Sequence, residues 1–267
     1  MGASGLGVHG STSLSPTDAG SGRFPAPVSR ATLVVEVLVV LSLSLLPSAV
    51  DSLISLLSAP IAGVSAFVYA NVQLIQQLAD ILFALAPIAL VIYLVRRNGE
   101  GLEPFGLGTA ALRQDALLGL LGAAVVSAVG GAIYLGAVAL KINRFVVPVP
   151  PLGHWWTIPI LVLGAIQSGA LEEVIVAGYL IRRLQQLRWR GPAAVVASAT
   201  LRGSYHLYQG WGGFAGNFLL GLAFGSVFLR WRRTWPLIVA HSAVDILSGL
   251  AYIKFRGHCP FGVCIPR

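Results

Sequence analysis

Apolar runs of about twenty residues recur along the chain, separated by short polar or basic links. An α-helix needs that length to cross a bilayer, whereas the strands of a membrane barrel alternate over about ten residues. The pattern predicts an all-α, polytopic transmembrane helical bundle. The first run covers Ala31 to about Val50, follows Arg30 and carries Glu36. A second covers Asn71–Val95 and holds Asp80 and Pro87; Pro87 lacks an N–H and predicts a kink. Between them, Asp51–Ala70, with Pro60 and Gly63, reads as an interfacial or re-entrant helix. A third run spans about Asp115–Leu140, where Gly130-Gly131 and many alanines permit close helix packing. The fourth re-enters at Trp155-Trp156 and runs to Leu180. The fifth runs from Pro192 to about Gln209, the sixth from the Gly210–Gly213 turn to about Leu229, and the seventh from Trp235 to about Ile253. Seven spans are expected, or eight if 51–70 also crosses.

Composition agrees with this reading and removes its soluble rivals. Of the 267 residues, 56% are hydrophobic and 10% charged, against about 25% charged in a soluble domain. The net charge of +8 does not point to nucleic acid, because the basic residues sit in short clusters between apolar runs, where they signal topology. With the N-terminus inside, Arg30, Arg96, Arg97, Arg113, Arg182–Arg190 and Arg230–Arg233 all fall on the cytoplasmic side. Lys141, Arg144 and the C-terminal tail fall outside. The expected organisation is a disordered cytoplasmic tail over 1–29 with no signal-peptide core, a transmembrane domain over 30–255, and a tail over 256–267. An external tail permits a disulfide between Cys259 and Cys264; two unpaired cysteines are the alternative.

Candidate chemistry lies in the later helices. Glu172 and Glu173 are adjacent carboxylates inside an apolar run, where an ionised side chain costs about 2.5–3.5 kcal/mol on insertion scales. Glu172 stands about 15 Å up the helix from Arg182, near mid-membrane. His241 stands about 12 Å in from Arg233. Asp245 shares its helix face at i,i+4, and Arg202 and His206 repeat that spacing on the fifth helix. Ionisable groups at similar depth avoid lipid and should converge on a bundle interior or wet cavity. A carboxylate with imidazoles can deprotonate water, and Glu172, His206 and His241 are also a plausible first shell for a divalent metal such as zinc. Plainer readings stand beside these. Arg202 could pair with Glu173 to hold the bundle together, and membrane histidines often bond helix to helix. Glu36, Asp51 and Asp80 read as boundary or packing groups, and His154 as an interfacial surface residue.

The three motifs, Glu172-Glu173, Leu201-Arg202-Gly203-Ser204-Tyr205-His206, and His241 with Asp245, resemble those of the CPBP intramembrane protease family. That family includes the CAAX prenyl endopeptidases and the Abi-like bacteriocin-processing and immunity proteins. The likeness covers about Trp155–Leu250. It implies that Glu172 activates the attacking water and that Glu173 supports the site. By the same likeness His206 shares the water, His241 stabilises the oxyanion or binds metal, and Asp245 takes the place usually held by asparagine. Two further departures stand out. Ala177 replaces the arginine four residues after the second glutamate, and Arg202 replaces an aromatic four before the histidine. One reading is a swap in which Arg202 reaches the glutamates from the fifth helix.

The reading as a whole is an intramembrane endopeptidase of the inner membrane, with its N-terminus cytoplasmic and its C-terminus external. It would act on a membrane-embedded or lipidated peptide or protein within the lipid bilayer. A catalytically silent immunity or scaffold protein is one alternative and a small transporter is another, since buried Glu, Arg and His also mark ion pathways.

Overall fold

The computed structural model describes residues 29–45, 48–49, 70–144, 146, 149–259 and 265. Among these the chain is helical, with no strand. The segment 51–69, the tail before residue 29 and Cys264 lie outside the described residues. The helices are α1 (Arg30–Leu43), α2 (Ala70–Phe83), α3 (Ala86–Arg97), α4 (Leu112–Ala139) and α5 (Thr157–Glu172). The chain continues from α5 through a π-helical stretch (Glu173–Leu180) into α6 (Ile181–Gln186), and then α7 (Gly191–Ser204), α8 (Trp211–Trp231) and α9 (Trp235–Phe255) follow.

Among the described residues, 4 helices are long and apolar enough to cross a membrane: Leu112–Ala139, Thr157–Gln186, Trp211–Trp231 and Trp235–Phe255. The described residues do not confirm the expected seven, for local reasons. The run expected over Asn71–Val95 is broken at Ala84-Leu85, just ahead of Pro87, which sits in the first turn of α3 and cannot donate to a preceding turn. The fifth run stops at Ser204 rather than Gln209. Its last residues form a tight turn and a 3-10 segment, Leu207–Gln209, ahead of Gly210. Gly210 has φ +104°, and a Cβ there would come 2.9 Å from the Ile142 carbonyl oxygen, so this turn needs glycine.

The last helix lies along α4 and α5, and α7 lies along α8. The basic ends of the helices are closed. Thr234 donates from Oγ1 to the Phe105 carbonyl at 2.8 Å and from its backbone N to Gly106 O at 2.9 Å. This pins the 103–106 turn under the π-helical stretch, where Phe105 is buried beside Tyr179. Arg233 pairs with Asp115, 2.6 Å from Nε to Oδ1 and 2.7 Å from Nη2 to Oδ2. Burial and the neighbouring Arg182 together push the Arg232 guanidinium down from its ordinary value. Trp155 and Trp156 divide the entry to α5 between them: the first is exposed, and the second is buried with His154 stacked on it.

Candidate active site

Two close approaches bring the motif helices together. Gly169, one turn before Glu172, lies against α9 so tightly that a Cβ would meet the backbone N of Ser242 at 3.0 Å. That contact sets His241 beside the glutamates. Gly221 of α8 gives room to α7, where a Cβ would lie 2.8 Å from Ala199 Cα and 3.3 Å from Arg202 Cδ. Ser198 also donates to the Val176 carbonyl at 2.8 Å, tying α7 to the π-helical stretch. Such a stretch leaves the regular i→i−4 ladder and is frequent at functional sites.

Arg202 is the hub. Its Nη1 donates to Glu173 Oε1 at 2.7 Å, and its Nη2 stands 3.3 Å from Glu172 Oε2 and 3.0 Å from His241 Nδ1. Phe224 lies under the guanidinium, 5.4 Å from Cζ to the ring centroid. His241 Nδ1 is also 2.8 Å from Glu173 Oε1. A guanidinium only donates and a carboxylate only accepts, so His241 Nδ1 can hydrogen-bond one of these two neighbours at a time; as acceptor from Arg202 it leaves the ring proton on Nε2. His241 Nε2 then faces Asp245 Oδ2 at 3.5 Å. Glu172 Oε2 accepts a hydrogen bond from the Tyr205 hydroxyl at 2.7 Å. His206 Nδ1 lies 3.0 Å from the Arg202 carbonyl; a carbonyl only accepts, so Nδ1 carries the proton and Nε2 is left as an acceptor.

Glu172, His206, His241 and Asp245 all line one cavity of about 570 Å³, whereas Glu173 and Arg202 are almost wholly buried behind it. Tyr205 was not singled out from sequence. Its signal was there: a hydroxyl three residues after Arg202, which puts it on the same side of the helix. Glu36, Asp80 and His154 lie outside this cluster. Glu36 is buried elsewhere, against Asn98 Nδ2 at 2.9 Å and Arg97 Nη2 at 3.2 Å.

One ligand atom from each of Glu172, Glu173 and His241 lies within 4.8 Å of the other two, a grouping of metal-site size. His206, expected to share a metal with Glu172 and His241, is not in that group. The Arg202 guanidinium sits 3.3 Å or closer to one ligand-type atom of each of the three. A divalent ion there would stand against a fixed positive charge that already satisfies these donors. As arranged, the group does not fit a metal.

No curated protein and no solved structure matches the chain. Residues 154–247 match the family of the type II CAAX prenyl endopeptidase Rce1-like proteins. All three motifs and the cavity's carboxylates and histidines fall inside that stretch, so this part of the chain is similar to the CAAX protease family.

Proposed function

We propose that this multi-pass membrane protein is an endopeptidase that hydrolyses a peptide bond of a membrane-associated protein or peptide, with no metal in the step. The observation that carries the reading is the convergence of Glu172, His206 and His241 on one cavity, with Glu172 held by Tyr205 and Arg202. Glu172 Oε2 is taken by these two donors, which leaves Oε1 for a water shared with His206 Nε2. Glu172 removes a proton from that water as its oxygen adds to the scissile carbonyl carbon. His241 faces the oxyanion that forms. The proton passes from Glu172 to the departing nitrogen as the C–N bond breaks, giving a carboxylate and an amine. Glu173 and Arg202 are positioning residues: they hold His241 and Glu172 and do not line the cavity. Asp245, where the resembled family usually has asparagine, adds no amide donor, so here it orients His241 instead.

The test is cleavage of a membrane-peptide library co-reconstituted in liposomes, comparing wild type with Glu172→Gln. Cleavage lost in the variant, in protein that still folds, supports the reading. Equal yields from both would overturn it and favour the silent immunity or scaffold reading, in which Arg202 simply neutralises the glutamates.

A further inference from the structure

A second cavity, of about 500 Å³, lies between α2, α5 and α9. Ser168, Asp245 and Ser248 line both it and the catalytic cavity, so the two meet at the carboxylate that faces His241. Beyond that shared rim the linings part. The catalytic cavity carries Glu172, His206 and His241, whereas the second carries Gln77 and Asp80 of α2 and Gln167 of α5. Gln77, Asp80, Ile81 and Ala84 recur at three- and four-residue spacing, so one face of α2 and the break that follows it form this wall.

The charge of the second cavity is one-sided. Among the described residues its lining holds two carboxylates, Asp80 and Asp245, and no Lys, Arg or His. Asp245 Oδ2 stands 3.5 Å from His241 Nε2. Asp80 makes no side-chain hydrogen bond or ion pair among the described residues. A carboxylate left without a partner and facing a cavity is complemented by a cation on the guest. The rest of the wall includes Ile81, Ile160 and Leu161. A lysine or arginine side chain joins an apolar stem to a charged head, so it matches both kinds of surface. Gly164, also in the lining, has no heavy atom within 4 Å of its would-be Cβ and keeps space for such a chain.

The chemistry supplies a second reason. An endopeptidase must house its substrate on both sides of the bond it cuts, and two cavities meet at this centre. Cleavage leaves a carboxylate on one fragment and an amine on the other. The amine, with an ordinary pKa of about 7.7–8.0, is mostly protonated at neutral pH. Two carboxylates repel the first product and attract the second.

We infer that the second cavity holds the amine side of the cleaved peptide, the residues that follow the scissile bond, and selects lysine or arginine there through Asp80 and Asp245. The cut bond is taken from the proposed hydrolysis, on which this reading rests, whereas the preference for a cationic peptide can be measured without it. Asp245 then has two tasks: it orients His241 and faces the guest with a charge that an asparagine would lack.

The experiment separates binding from cleavage. Full-length wild type, Asp80→Asn and Asp80→Lys are compared in detergent micelles; Asp80 is varied because Asp245 also holds His241. Binding is read by fluorescence anisotropy of two tripeptides with free amines and a C-terminal label, Leu-Lys-Ala and Leu-Glu-Ala. Wild type should bind the lysine peptide about ten-fold tighter than the glutamate peptide. That ratio should fall about three-fold or more in Asp80→Asn, and further in Asp80→Lys. Acetylating the amine of the lysine peptide should weaken its binding to wild type by about three-fold or more. A ratio near one in wild type, the same ratio in all three proteins, or no loss on acetylation would overturn the inference. In the liposome assay the same order should appear in kcat/KM for lysine against glutamate placed after the scissile bond. A preference seen only before that bond would overturn the assignment of side. No cleavage at all, with the binding ratios intact, would count against hydrolysis alone.

Discussion

The helix that carries the glutamates holds two buried ionic clusters, and they serve different ends. At the closed end, Arg183 is fully buried, pairs with Glu100, donates to Gln186 Oε1 at 2.7 Å and stands 3.4 Å from Glu36. Phe105 and Tyr179 lie 5.0 and 5.2 Å from its guanidinium carbon. In mid-bundle, Arg202 likewise meets two carboxylates and rests on an aromatic ring. The ingredients are the same. The difference is the wall: no residue of the Arg183 cluster lines the cavity, whereas Glu172, His206 and His241 do. Buried charge alone is therefore weak grounds for a catalytic assignment. Charge that is fixed on one side and open to a cavity on the other can work on a substrate.

Substitutions in the two clusters should therefore fail in different assays. Glu172→Gln should lower cleavage by about 10²–10⁴-fold, the usual span for loss of a general base, while thermal unfolding in detergent micelles stays near wild type. Arg183→Ala should do the opposite, costing about 3–5 kcal/mol of stability by stranding Glu36 and Glu100 and leaving kcat unchanged in whatever fraction folds. A stable Arg183→Ala with lost cleavage would erase the distinction. Arg202→Ala belongs to both classes. It should lose stability on the same scale as Arg183→Ala, with Glu173→Gln in the same chain restoring part of it, because the uncompensated carboxylate is then gone.

Much of the site was legible in the sequence because membrane burial makes every ionisable residue conspicuous. Glu172, His206, His241 and Asp245 do share a cavity, and Arg202 does reach both glutamates across helices. Tyr205 was passed over because a tyrosine in a membrane helix needs no partner to be tolerated, so nothing in its type demanded one. Glu36 read as a boundary group, although its partners, Asn98 and Arg183, lie on distant segments. No local spacing announces such a pairing. The expected span count goes unconfirmed where hydropathy and helix length part company. Apolar character continues through Pro87 and past Ser204, but the backbone turns there for want of a donor in one case and through a glycine corner in the other.

Smaller effects sharpen the picture within the open cluster. Tyr205→Phe removes a hydrogen bond to a charged acceptor, worth about 1.5–3 kcal/mol in general. If that bond serves only packing, unfolding temperature should fall and turnover per folded molecule should hold. If it aims Glu172 at the water, kcat should drop about ten-fold or more with KM unchanged, since the hydroxyl fixes the base and does not bind the peptide. The second outcome is expected, because Oε2 is the oxygen Tyr205 holds and its release would let the carboxylate rotate Oε1 away from His206.

The smallest expected effect is none at all. A strong chelator should leave cleavage by the wild type unchanged, and purified wild type should hold no stoichiometric zinc by elemental analysis. The reason is the place of Arg202, whose nitrogens stand where an ion between Glu172, Glu173 and His241 would have to go. Arg202→Ala removes that charge and leaves two carboxylates and an imidazole facing one another within 4.8 Å, the donor set and spacing that zinc takes. Zinc should then bind the variant and raise its unfolding temperature, as any ligand selective for the folded state does. Zinc bound by wild type and lost in Arg202→Ala would instead make the guanidinium part of a metal site's support, and the contrast between a sealed and an open arginine would have to be redrawn around the ion.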